Sequence, residues 1–373
     1  MIAGREIAHN HAGATPAPIV FTSCEMMDAA AVEPRLAAAA QPGAAATKPA
    51  SKRREVSVGG KRVKTIDVHC HCVVPETLKL LGQERNEQRG PGISEVGDRR
   101  IREMDEQGID VEVLSINPHW YKAERDLAAE VVRINNERLA EFCGTYPDRI
   151  AAFCSVALQF PELAVEQLEH AVKKLGLKGP AVGASVQPDD FSHPRFHPFW
   201  KKCEDLGVLV FIHPQSTPQL HARLKGNGWL SNTIGNPLDT TICLEHLIFE
   251  GTLDLFPRLK LCSAHGGGFL PSYAPRMDHA CRVGPDECNP NVKLKKRPTE
   301  YLRDMYFDTL VFTSEALRHL AAEVGSDRLV IGTDHPIPWN PNPVDHIMNA
   351  PDFSDEEKIA MLGGTAAKLL NIK

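Results

Sequence analysis

The sequence predicts an α/β fold of the (β/α)8 barrel type. From Thr65 onward, short β-branched runs alternate with helical periods and the alternation never breaks, as expected of parallel strands joined by crossover helices. Eight such runs fit into roughly 300 residues, the number and length of a closed eightfold barrel. Several runs finish on side chains that can bind a cation or move a proton, and the carboxyl ends of barrel strands are where such a fold assembles its site. A doubly wound sheet also explains the alternation, but it does not bring the ends of strands 1, 5, 6 and 8 around one axis.

In chain order, strands are expected at 65–72, 111–116, 150–158, 179–185, 207–214, 259–265, 305–311 and 328–334. Amphipathic helices fill the gaps, among them Arg99 to Gln107, Glu124 to Tyr146 and Pro161 to Leu175. Strand 1 is the most informative. Read as one regular strand, Thr65-Ile-Asp-Val-His-Cys-His-Cys72 puts His69 and His71 on one face and Cys70 and Cys72 on the other, because side chains alternate. Two imidazoles converging on one point suggest a metal. Asp67 either orients that site or caps the strand. Strand 5 ends on His213-Pro214, strand 6 on His265 before Gly266-Gly267-Gly268, and strand 8 on Asp334-His335-Pro336.

His69, His71, His213 and Asp334 offer the nitrogen and oxygen donors of an open cation site, zinc first among the options. His265 is cast as acid/base, since imidazole titrates near neutrality. His335 should point away from Asp334. His193 and His197 read as a turn and a helix start, and His246 and His279 as helical packing or surface residues.

Two long loops, Val73 to Asp98 and Gln215 to Pro237, follow strands 1 and 5; the second holds His221, Arg223, Trp229 and Asn232. Long loops on this face form lids or substrate pockets. Residues 1–60 are Ala/Pro-rich with few large apolar side chains. They are expected to be a disordered or arm-like N-terminal extension, with the barrel spanning 61–373.

The chain has 373 residues, 42% hydrophobic and 24% charged, with a net charge of -6. That is enough apolar material for a large core, with no basic footprint for nucleic acid. No run approaches the roughly 18 apolar residues of a membrane span. The ten cysteines form no CxxC pairs, and Cys154, Cys243 and Cys262 sit in apolar runs; they are expected to be reduced core residues of a cytoplasmic protein.

The HxH of strand 1, His213-Pro214, Ala264-His-Gly-Gly-Gly-Phe269, Pro275-Arg276-Met277 and Gly332-Thr-Asp-His-Pro336 together resemble the amidohydrolase superfamily, in the branch of aminocarboxymuconate semialdehyde decarboxylase. Arg100-Ile-Arg-Glu-Met-Asp105 and the stretch Tyr301 to Leu310 are similar to it as well, and the resemblance runs over about 65–371.

It implies one divalent metal, usually zinc and sometimes manganese, held by His69, His71, His213 and Asp334, with His265 as the catalytic histidine. A lysine that bridges two metals in other members has no counterpart, since Lys178 lies at the wrong end of strand 4. Arg276 matches an arginine that reaches a partner subunit's site, which implies a homodimer. Trp229 is a loose counterpart of a substrate-binding tryptophan, and Arg85 and Arg89 lie where a carboxylate-binding arginine is sought.

The leading expectation is non-oxidative decarboxylation of an unsaturated or aromatic carboxylic acid, with His265 or Asp334 handling the proton. The alternative is hydrolysis of a lactone, amide or carbon–carbon bond by the same residues. A metal-bound protein without catalytic function is a third possibility; the open donor set beside an acid/base histidine argues against it.

Overall fold

The structure, a computed structural model, describes residues 52–83, 96–215, 217–288 and 290–373. Eight parallel strands form the barrel: β1 (Ile66–His71), β2 (Val111–Ser115), β3 (Ile150–Ala152), β4 (Ala181–Val182), β5 (Leu209–Ile212), β6 (Lys260–Ser263), β7 (Tyr306–Asp308) and β8 (Leu329–Val330). They pair as two arcs, β1-β2-β3 and β4-β5-β6-β7-β8. Single parallel bridges join the arcs, Cys154 to Pro180 between β3 and β4, and Asp67 to Ile331 and Cys70 to His335 between β8 and β1. The ring is therefore closed.

All eight strands lie where the sequence placed them, but each is shorter. The sequence runs extend through apolar loop residues to the functional group at the mouth, whereas ladder pairing stops earlier.

Crossover helices cover the barrel: α1 (Asp98–Gln107), α2 (Arg125–Thr145), α3 (Pro161–Lys173), α4 (His197–Leu206), α5 (Asn236–Phe249), α6 (Leu270–Val283), α7 (Ser314–Val324) and α8 (Thr365–Leu370). Two apolar layers result. The inner one contains Ile66, Val68, Val113, Phe153, Phe211 and Val330, and the outer one lies between strands and helices. At about 25 cal/mol per Å² of apolar surface removed from water, these layers are the main stabilising term. Trp200 shows how α4 is fixed: it is fully buried, and its indole N–H donates to Phe191 O at 2.8 Å.

One irregularity in β1 decides the site. The pairing of β1 with β2 shifts register between Asp67 and Cys70. Ile66 and Val68 belong to the inner layer, yet so do the inward imidazoles of His69 and His71, while Cys70 and Cys72 pack in the outer layer. A regular strand cannot face 66, 68, 69 and 71 the same way. The extra residue of a bulge resets the alternation, which corrects the reading of the octet as one uniform strand.

The chain packs on the barrel before residue 61. Ser57–Val58 pairs antiparallel with Lys61–Arg62, Arg53 pairs with Asp110, and Arg54 with Asp345. The rest of the N-terminal extension, 1–51, lies outside the described residues, as do Arg85 and Arg89 in the loop after β1.

Cys154, Cys243 and Cys262 are buried and free. The expectation of reduced cysteines throughout needs correction, because Cys281 and Cys288 form a disulfide. They are seven residues apart, at the end of α6 and in the turn that follows, a proximity that apolar patterning does not reveal. Among the described residues no helix is long and apolar enough to cross a membrane.

Candidate functional site

His69 and His71 from β1, His213 just beyond β5 and Asp334 beyond β8 meet at one point inside the barrel mouth. One ligand atom from each lies within 4.8 Å of all the others. The Nε2 atoms of His69 and His71 are 3.1 Å apart. Asp334 Oδ1 is 3.2 Å from His69 Nε2, 3.0 Å from His71 Nε2 and 3.9 Å from His213 Nε2. The His213 ring stands 4.5 Å from that of His71 and 5.0 Å from that of His69, measured between centroids. The Phe211 ring lies 5.2 Å from that of His69 and stacks on Phe153, an apolar floor that keeps water from below.

The donor set fits a divalent cation. Both ring nitrogens of His213 and both carboxylate oxygens of Asp334 are buried without a hydrogen-bond partner. Orphaned polar atoms of this kind are costly, and a cation at their common focus satisfies them together. Three imidazoles and one carboxylate suit zinc or manganese.

The charges are strongly coupled. Burial opposes charge on His69, but Asp334 and Asp308 prevail and hold its imidazole up at about 10. Burial, followed by the neighbouring His71, His69 and His265, pushes His213 well below the ordinary histidine value. Asp334 is held well below the usual carboxylate range by these imidazoles, despite burial.

His265 stands beside the cluster, with Nε2 3.7 Å from Asp334 Oδ2. Its side chain is 14% exposed, whereas the four converging groups are at 0–1%. It is the imidazole of the group that touches the mouth. Its backbone is left-handed, φ 55°, and Asp334 likewise at φ 60°. Residues other than glycine adopt this region at a cost, and such strain gathers at functional sites. The glycines after His265 permit the turn: at Gly268, φ 66°, a Cβ would lie 2.1 Å from Pro237 O at the start of α5.

The other expected residues are dispersed. Asp67 sits behind the site, accepting from His69 N at 3.0 Å and from the Thr333 hydroxyl at 2.5 Å; burial, with Glu112 nearby, pushes it up to about 8. His335 points away from Asp334 as expected, toward Glu112 and Glu103 at 3.3 and 3.4 Å. Trp229 stacks on Trp339, at 5.4 Å between ring centroids, in the loops after β5 and β8. Arg276 is exposed on α6. It lines a cavity of about 700 Å³ between α5 and α6 with Glu245, Phe249 and Tyr273, and none of the converging residues lines that cavity.

Two residues escaped the sequence reading. Ser115, ending β2, lies with its hydroxyl 2.8 Å from His71 Nδ1. Asp308, ending β7, lies 2.6 Å from His69 Nδ1. The signal was available for Asp308, a polar residue closing Met305-Tyr-Phe-Asp308 as others close β5, β6 and β8.

A family model described as amidohydrolase matches residues 66–372. The chain belongs to the amidohydrolase family. It is 31% identical to 2-amino-3-carboxymuconate-6-semialdehyde decarboxylase of Dictyostelium discoideum, over 74% of this chain and 76% of that protein. It is 30% identical to gamma-resorcylate decarboxylase of Rhodococcus jostii, over 81% of this chain and 97% of that one. Among solved structures, the dihydroxybenzoic acid decarboxylase of a Polaromonas species, with bound manganese and the inhibitor 2-nitroresorcinol, superposes with a TM-score of 0.72 at 26% identity, covering 83% of this chain and 97% of that one.

Proposed function

We propose that this amidohydrolase-family protein is a metal-dependent, non-oxidative decarboxylase of a small aromatic or unsaturated carboxylic acid. The observation that carries the reading is the position of His265, a mouth-facing imidazole 3.7 Å from a carboxylate that also faces three histidines. The decarboxylase activities of its relatives support it. His69, His71, His213 and Asp334 are the proposed ligands. When bound, a divalent cation supplies positive charge that anchors substrate oxygens and withdraws electrons from the reacting carbon.

In the reaction the bond to the carboxylate breaks, its electron pair stays on the substrate carbon, carbon dioxide leaves, and a proton must reach that carbon. His265 is placed to deliver the proton, and Asp334, kept ionised, is placed to stabilise the imidazolium that precedes transfer. The Phe211 floor excludes water from below, and the aromatic pair Trp229–Trp339 in the loops after β5 and β8 is proposed to offer a flat surface to a planar substrate.

Finer assignments belong to the same proposal. Three imidazoles favour zinc on donor chemistry, while the manganese in the Polaromonas relative favours manganese. The exposed guanidinium of Arg276 is proposed to bind a carboxylate in the site of a second copy, making the protein a homodimer. A cytoplasmic location is proposed on the seven free cysteines, against which the Cys281–Cys288 disulfide stands.

The test loads the purified protein with zinc or manganese and offers a panel of hydroxybenzoates and unsaturated dicarboxylates. Carbon dioxide release with one metal equivalent per chain is expected. A product that has gained water without losing carbon dioxide overturns the reading in favour of hydrolysis.

A further inference from the structure

We propose that Asp308 is a positioning residue that locks the first proposed metal ligand and the backbone of the proton-transferring histidine into one unit. The inference rests on the roles given above to His69 and His265. Asp308 is fully buried at the end of β7. Its Oδ2 lies 2.6 Å from His69 Nδ1 and accepts from His265 N at 2.9 Å. Its Oδ1 accepts from Gly266 N at 2.8 Å and from Leu310 N at 3.1 Å. One carboxylate thus meets four donors.

Two consequences follow. A proton held on His69 Nδ1 leaves Nε2, the atom facing Asp334, as the one able to ligate. The two backbone bonds hold residues 265 and 266 at φ 55° and 60°, a turn that for His265 persists only if its surroundings enforce it. The link between β1 and β6 therefore passes through a side chain of β7.

The space for this carboxylate is itself specified. A Cβ on Gly332 would lie 2.6–2.8 Å from the Cβ, Cγ and Oδ2 of Asp308. In the Gly332-Thr-Asp334 run the glycine is there for its neighbour on β7, because its own φ is not left-handed.

Asp308→Asn is the discriminating variant. A carboxamide has one acceptor oxygen and a donating NH2, so at least one of the two oxygen positions must face its two donors with N–H groups. Chelator competition with zinc is expected to give about 10- to 100-fold weaker metal binding. In histidine-labelled, zinc-loaded protein, the low-field N–H proton signal of an imidazole donating to a buried carboxylate should disappear. Turnover at saturating metal should also remain depressed, because the His265 turn has lost its support.

Gly332→Ala, which changes none of the proposed ligands nor Asp308 itself but crowds the carboxylate out of its position, should reproduce all three effects, and it serves if Asp308→Asn does not fold. Unchanged zinc affinity in both variants overturns the proposal. Weakened affinity with full turnover at saturating zinc also overturns it, reducing Asp308 to a support for His69 alone. The affinity and proton-signal measurements need no substrate, so they stand apart from the test of decarboxylation.

Discussion

At the scale of single residues, His213 and His265 separate two roles that sequence alone leaves entangled. Both are histidines at strand ends, but His213 is buried with both ring nitrogens unpartnered, while His265 reaches the mouth. His213→Ala is expected to lose metal and activity together, read by elemental analysis and turnover on the same sample. His265→Ala is expected to keep the metal and lose about 10²- to 10⁴-fold in turnover, the range for a proton-transfer group; metal loss in that variant would show the role to be misassigned.

The charge state of His69 supplies a pH prediction. Without a cation its imidazole is held up at about 10, so at neutral pH it carries a proton on each nitrogen, and a cation must displace the one on Nε2. Metal binding should therefore release about one proton from His69 and weaken as pH falls. Calorimetry in buffers of different ionisation enthalpy measures that release. His213, already neutral, contributes none.

At the scale of elements, alternation and strand-end polarity were enough to locate all eight strands, because parallel barrel strands are apolar on both faces and finish at the mouth. The bulge in β1 was not legible, since the inserted residue lies within a run where every position is compatible with a strand. Asp308 closes β7 as other polar residues close β5, β6 and β8, but its partner His69 lies 239 residues away and is brought to it only by the closed barrel. Cys281 and Cys288 were missed because their pairing depends on the turn after α6.

The N-terminal hairpin carries the element-scale prediction. Asp110, at the entry to β2, pairs with Arg53 and with Arg62 and accepts from Thr65 N at 2.9 Å. Burial raises its pKa, but Arg62, Thr65 N and Arg53 together hold it below the usual carboxylate range. A depressed carboxylate contributes stability that is present above the unfolded value, about 3.9, and is lost as pH falls through the folded one. Asp110→Asn should cost about 1–2 kcal/mol at neutral pH, discounted because both arginines are 38% exposed. It should also flatten the acid limb of the melting curve below about pH 4; an unchanged limb would show that the hairpin is held by its apolar contacts alone.

At the scale of the whole molecule, the role proposed for Arg276 requires a site shared between two chains. The residue is exposed on α6, beside a cavity that contains none of the cluster residues. An isologous dimer that places α6 over the partner's mouth gives the Arg276 charge a substrate carboxylate to bind with two hydrogen bonds. Arg276→Ala is then expected to raise KM for the carboxylate more than it lowers kcat, with metal content unchanged. Mixing it with His265→Ala chains under exchange conditions provides the stricter check. Each mixed dimer holds one site with both His265 and Arg276, so at substrate concentrations well below the raised KM, where both variants turn over slowly, random pairing should restore up to about a quarter of the wild-type sites. Sedimentation at assay concentration fixes the oligomeric state on the same samples. A fully active monomer, or a mixture no more active than its parts despite exchange, would remove the shared site and leave the metal cluster as it stands.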